Sequence, residues 1–177
     1  FITSISFNLL TDGLRSATTS AIVAMPTSTI AGSASQTAGT LTISNSTLSG
    51  NSDNTEVPGI NGFYWGYGGG IYSTGTLNIS GSTFIGNFIN STHGVNSAPA
   101  GGGIYNSFGE LTVSNSIFTA NSASPDGHGG AIFTAFYSQF TSTITVSNSS
   151  FTANSAGQGG GIANTVGTLT VDNSTFT

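Results

Sequence analysis

One phrase occurs five times in this chain. It reads Gly39-Thr-Leu-Thr-Ile-Ser-Asn-Ser-Thr-Leu-Ser-Gly-Asn51, and then Gly75-Thr-Leu-Asn-Ile-Ser-Gly-Ser-Thr-Phe-Ile-Gly-Asn87. It returns from Gly109 to Asn121, from Ser142 to Asn154, and from Gly167 to Thr177. Self-similarity at a period of tens of residues marks a stacked repeat, in which each unit buries its apolar face only against its neighbours.

A second phrase precedes four of the copies: Gly68-Gly-Gly-Ile71, Gly101-Gly-Gly-Ile104, Gly129-Gly-Ala-Ile132 and Gly159-Gly-Gly-Ile162. These isoleucines are spaced by 33, 28 and 30 residues. One rung therefore reads as Gly-Gly-Gly-Ile, then Leu-x-Ile/Val, then Phe-x-x-Asn, giving three short strands per coil. Within Thr40-Leu41-Thr42-Ile43, apolar and polar residues alternate with period two, as in a strand with one buried face. No window carries a 3.6 period, and β-branched residues abound.

Stacking the phrases predicts inward columns. Leu41, Leu77, Leu111, Ile144 and Leu169 form one, and Ile43, Ile79, Val113, Val146 and Val171 the next. Leu48, Phe84, Phe118, Phe151 and Phe176 form a mostly aromatic third, and Ile71, Ile104, Ile132 and Ile162 a fourth. Asn51, Asn87, Asn121 and Asn154 make a polar ladder. A side-chain amide donates and accepts, so stacked asparagines can bond along the column. Asn also tolerates the left-handed backbone of a tight corner. The glycine triplets serve such corners or let backbones approach closely.

The expected fold is all-β: a parallel β-solenoid of about five three-strand rungs with wall insertions. Residues 39–177 hold the repeats. Residues 1–38 lack the phrases and read as an N-terminal cap, an arm or one irregular rung, with Ala21-Ile22 a degenerate Gly-Gly-Ala-Ile. Residues 52–67, 88–100 and 133–141 vary in length between the phrases and read as insertions on the solenoid wall.

The pairing of Gly-Gly-Ala/Gly-Ile with Phe-x-x-Asn resembles the repeats of polymorphic outer-membrane proteins and related secreted adhesins. Those repeats are similar in turn to the pectate-lyase-like parallel β-helix. The resemblance covers roughly residues 39–177. It implies a right-handed β-helix, an extracellular or cell-surface location, and a role in adhesion or as a stalk. Leu48 and Gly81 depart from the Phe and Asn of the other copies.

Composition narrows the chemistry. Charged residues make up 4% of the chain, against about 25% in ordinary soluble domains. One Lys/Arg, Arg15, stands against six acids. Phosphate neutralisation needs several cations, so no nucleic-acid partner is expected. No apolar run approaches the ~18 residues of a membrane helix, so no membrane insertion is expected. Cysteine is absent, which removes disulfides and thiolate metal sites. The chain begins at Phe1, which reads as a processed or trimmed terminus.

No catalytic residue, metal site or cofactor is expected. A polysaccharide lyase on this fold needs clustered carboxylates and a basic residue, and a glycosidase needs two carboxylates as a pair. Arg15 lies outside the repeats, and nothing pairs Glu110 with Asp126 at a defined spacing. His93 and His128 read as two loop histidines rather than a metal pair. Asp53 and Glu56 do not match a calcium loop. Outward threonines line up as Thr40, Thr76, Glu110, Thr143 and Thr168, and as Thr42, Asn78, Thr112, Thr145 and Thr170. Thr-x-Thr ranks on a flat face look like an ice-binding surface, but Thr also suits any solvated strand, and Glu110 and Asn78 interrupt the ranks.

Two loops and the ends carry the functional expectations. The cluster Phe63, Tyr64, Trp65 and Tyr67 can stack on a glycan, anchor a surface protein, or fold back over the wall. Asn-x-Ser/Thr sequons occur at Asn45, Asn78, Asn90, Asn148 and Asn173, with Asn90 the best glycosylation candidate because it sits in an insertion. The last copy breaks off at Thr177, directly after Phe176: either the protein continues beyond it, or the next subunit supplies the missing surface by pairing with its strand edge and its column residues Leu169 and Val171. With Phe1, Ile2, Ile5, Phe7 and Leu9 at the other end, this predicts head-to-tail self-assembly into a homopolymer. The leading expectation is a non-enzymatic structural protein forming a fibre or surface layer. An adhesin stalk fragment is the alternative. Ice binding and carbohydrate turnover carry less.

Overall fold

The structure is a computed structural model. It describes residues 21–30, 34–36, 39–53, 67–89, 100–107, 109–135, 142–165 and 167–177. The described chain is all-β, and every strand pair in it is parallel. The strands fall into three sheets, each built from corresponding pieces of successive repeat copies.

The largest sheet is turned back on itself by the strand Thr40–Ser49. Its first half pairs with Thr76–Ser80 and its second half with Thr83–Ile85. One limb continues through Glu110–Ser114, Ser142–Ser147 and Gly167–Asp172, the other through Ile117–Thr119, Ser150–Thr152 and Thr175–Phe176. A second sheet holds Ala34–Gln36, Ile71–Ser73, Ile104–Ser107, Ile132–Ala135 and Ile162–Asn164. A third holds Ser52–Asp53, Phe88–Ile89 and Ser122–Ala123.

The columns expected from the phrases are the columns observed. Leu41 pairs with Leu77, Leu77 with Leu111, Leu111 with Ile144, and Ile144 with Leu169. Up to the fourth copy these side chains, with the Ile43, Leu48 and Ile71 columns, make one core cluster between the sheets. The aromatic column is a true stack: Phe84 on Phe118, Phe118 on Phe151, and Phe151 on Phe176, with ring centroids 4.7, 4.8 and 4.6 Å apart and planes within 10°. That spacing is the strand-to-strand distance of a parallel sheet, so one period sets both backbone and rings.

Three details differ from expectation. A complete copy holds four strands, not three, because Phe88–Ile89 and Ser122–Ala123 pair beyond the ladder asparagine. The ladder asparagines are not left-handed. The residue before each one is, at Gly50, Gly86, Ala120 and Ala153, with φ of 62°, 61°, 53° and 54°. A second set of corners, at Asn45, Gly81, Asn115, Asn148 and Asn173, also has positive φ. Finally, Ala21-Ile22 is not a degenerate Gly-Gly-Ala-Ile. The strand Ala21–Ile30 pairs with Thr40–Ser49, so Ala21 stands opposite Leu41, and Ala34 holds the place of Ile71. Pro26 falls where that pairing shifts register, between Ala24 and Ser28, as suits a residue with no N–H to give a ladder.

The glycine triplets do both things the sequence suggested. Gly101 has φ of +72°, the left-handed region glycine favours. A Cβ on Gly102 would fall on the carbonyl oxygens of Ser122 and Gly130, so the strand beyond this corner can close only over glycine.

Candidate functional site: ladders, an aromatic strip and an open end

The asparagine ladder is fully engaged. The Nδ2 of Asn51 donates to the Oδ1 of Asn87 at 2.9 Å, Asn87 to Asn121 at 2.9 Å, and Asn121 to Asn154 at 3.0 Å. Each receiving oxygen also accepts the backbone N–H of the donor residue, at 3.1, 3.1 and 2.9 Å. The second Nδ2 hydrogen goes to a main-chain oxygen of the preceding copy: Asn87 to Leu48, Asn121 to Phe84, and Asn154 to Phe118, all at 2.9 Å. Both amide atoms thus join adjacent copies inside the core, where unmade bonds are costly.

A second ladder was missed by the sequence reading. The backbone N–H of Ser46 donates to the Oγ of Ser82, Ser82 to Ser116, Ser116 to Ser149, and Ser149 to Ser174, at 3.1–3.2 Å. Each hydroxyl in turn donates to the carbonyl two residues earlier, as Ser116 does to Ser114 at 2.7 Å. The signal was present: this serine is the same in all five copies.

On the outer side of the second sheet runs an aromatic strip. Tyr72 stacks on Tyr105 at 5.4 Å, Tyr105 meets Phe133 at 5.4 Å, and His128 stacks on Phe133 at 5.4 Å. Tyr67 joins it, 4.8 Å from Tyr105 and 5.7 Å from Tyr72, with its N–H held by Asp53 Oδ2 at 3.0 Å. Tyr105 and Phe133 are buried, and Tyr67 and Tyr72 are half-buried. Of the proposed ligand loop, Tyr67 lies against the wall, while Phe63, Tyr64 and Trp65 fall outside the described residues.

The inward column is uncovered at the last copy. Leu169, Val171 and Phe176 are 39%, 42% and 46% exposed, whereas Ile144, Val146 and Phe151, one copy earlier, are buried. The partner segment proposed for that surface, Phe1, Ile2, Ile5, Phe7 and Leu9, lies outside the described residues, as does the sequon at Asn90. The sequon asparagines Asn45, Asn148 and Asn173 sit exposed at left-handed corners.

The remaining candidates are dispersed. Glu110 stands in the threonine rank opposite Thr143, and Asp126 sits exposed in the turn after Ser122–Ala123. His128 bridges Ala100 and Gln158 through its backbone, while His93, Glu56 and Arg15 lie outside the described residues. The threonine ranks are in register, with Thr112 between Asn78 and Thr145, and Asn78 and Glu110 interrupt them.

No family model, no curated protein and no solved structure matches this chain.

Proposed function

We propose that this chain is a structural element of an extracellular or cell-surface protein, a right-handed parallel β-helix of about five rungs that joins end to end into a fibre or surface layer. It performs no chemistry. The reading rests on the resemblance to polymorphic outer-membrane protein and adhesin repeats, and on one observation above all. The apolar columns run in register from copy to copy, so each copy's inward side chains are covered by the copies stacked on it. The ring column carries the same step throughout, with Phe176 stacked on Phe151 at 4.6 Å. Such a column is extended by another rung, from the polypeptide's own continuation or from a second copy.

Sedimentation across a concentration series tests the self-assembling form. The chain should form large species as concentration rises, and Phe176→Asp with Val171→Asp should stop growth. Equal behaviour of wild type and variant would overturn it.

A second reading is favoured by the aromatic strip. In an adhesin stalk, Tyr67 would present its ring to a glycan or a surface protein beside Tyr72, with Trp65 of the same sequence cluster as its companion. Replacing Trp65 and Tyr67 by Ala should then abolish glycan or partner binding and leave assembly intact. Binding that survives the double substitution would dismiss this reading.

A further inference from the structure

Apart from the last copy, the large apolar side chains that the described residues leave exposed are Ile85, Ile117 and Phe88. Two of them share one wall. In the limb built on Thr83–Ile85, Ile117–Thr119 and Ser150–Thr152, the phenylalanines point inward, so the flanking residues point out. Ile85 is 42% and Ile117 48% exposed. Thr83 stands opposite Ile117, and Ile85 opposite Thr119. The isoleucines therefore occupy one diagonal of a four-residue tile and the threonines the other. Ser150 and Thr152 continue the same two columns. No outward residue of this limb is charged.

We infer that this wall is a lateral contact between two copies of the chain, packed sheet face to sheet face. Two observations choose a second copy as the occupant. The tile complements itself. A half-turn about the stacking direction lays Ile85 over the second copy's Thr83 and Ile117 over its Thr119. A half-turn about the strand direction lays Ile85 over Thr119 and Ile117 over Thr83. In either arrangement each large side chain meets a small one, as interdigitating layers require. Second, one cation and six acids in the whole chain leave little repulsion to keep such faces apart.

Size sets the strength. The limb is about 10 Å wide and, over five copies, about 24 Å tall from strand rise and spacing. That is well short of the ~800 Å² per partner of a stable complex, so a single pair is weak and gains strength only along stacked chains. This contact is separate from end-to-end stacking. It would bundle shafts sideways, whereas the open column lengthens them.

A weak contact is best read by trapping, and the chain offers a clean background because it has no cysteine. Thr119→Cys places one thiol on this wall, and Thr112→Cys places one on the other limb of the same sheet. A bismaleimide with a spacer of about 10 Å, the separation of packed sheets, links thiols across a face-to-face contact. Thr119→Cys should give covalent dimer at least tenfold above Thr112→Cys. Adding Ile85→Glu and Ile117→Glu should remove it with the circular dichroism spectrum unchanged. Equal trapping at the two positions, or trapping that persists with both glutamates, would overturn the inference. Phe176→Asp blocks end stacking and should leave wall trapping intact, so failure of the two contacts can be told apart.

Discussion

At the scale of single residues, the five copies act as a set of natural substitutions. The corner before each ladder asparagine is left-handed, with Gly in two copies and Ala in two. A Cβ on Gly50 or Gly86 would meet nothing within 4 Å, so only the backbone conformation favours glycine there. Alanine in that region costs ~1–2 kcal/mol, and glycine gives back part of the gain as chain entropy. Ala120→Gly and Ala153→Gly should therefore each stabilise by about 0.5–1 kcal/mol in urea unfolding; a loss of stability would contradict this. The ladder itself should be expensive to break. Asn121→Ala removes both amide atoms from the middle of the column and should cost about 3 kcal/mol or more, while Asn154→Ala, only half-buried, should cost less. Ser142 stands where the other copies have glycine, and its buried Oγ has no partner. Ser142→Ala should be neutral or stabilising by about 1 kcal/mol, read from the same unfolding curves. These corners also explain why one ladder was legible in the sequence and the other was not. Alternation from Ile43 puts Asn45 inward. The left-handed turn at Asn45 slips the phase by one residue, so Asn45 is exposed and Ser46 buried. A period-two reading cannot carry across such a slip. The asparagine ladder stood out because its residue type is informative alone; serine is not.

At the scale of elements, stability comes from columns rather than from single strands. Beyond the first copy, whose strand Thr40–Ser49 runs ten residues, strands of two to six residues make up the repeated walls, too short to persist alone, and each is held by its counterparts in adjacent copies. The phenylalanine stack shows the gradient this creates. Phe118 is enclosed between Phe84 and Phe151, while Phe176 has one free face. Phe118→Ala should cost about 3–5 kcal/mol, the range for a buried aromatic, and Phe176→Ala should cost under about 1.5 kcal/mol by the same melts. Similar costs would mean that Phe176 is covered in solution. The turn between the second sheet and the large one is closed by a side chain whose reach follows the loop length. Ser73 Oγ bonds the main chain of Gly75, two residues on, whereas Asn106 and Asn164 reach carbonyls three residues on, at Gly109 and Gly167. Alternation and the glycine triplets made these columns readable from the chain alone. The strand Ala21–Ile30 was not readable, since it carries neither phrase and its pairing is broken around Pro26, and the local likeness of Ala21-Ile22 to another motif misdirected its alignment.

At the scale of the whole molecule, the same periodicity that builds the interior also patterns the outside. Every wall repeats its backbone at the strand spacing, while the outward side chains change from copy to copy. In the proposed assembly, growth along the stack would extend the inward columns, and the Ile85–Ile117 wall would supply contact sideways. A chain with 4% charged residues has little to oppose either. The binding potential of a stalk would instead sit on the aromatic strip at Tyr67 and Tyr72, away from both surfaces. Each proposed assembly requires strands lying across a long axis with copies stacked along it. Electron cryo-microscopy of the purified chain at high concentration tests this most directly. The account predicts filaments or rods whose diffraction carries a layer line near 4.8 Å along the long axis. Dispersed compact particles at the same concentration, or filaments with that spacing across the axis, would contradict it.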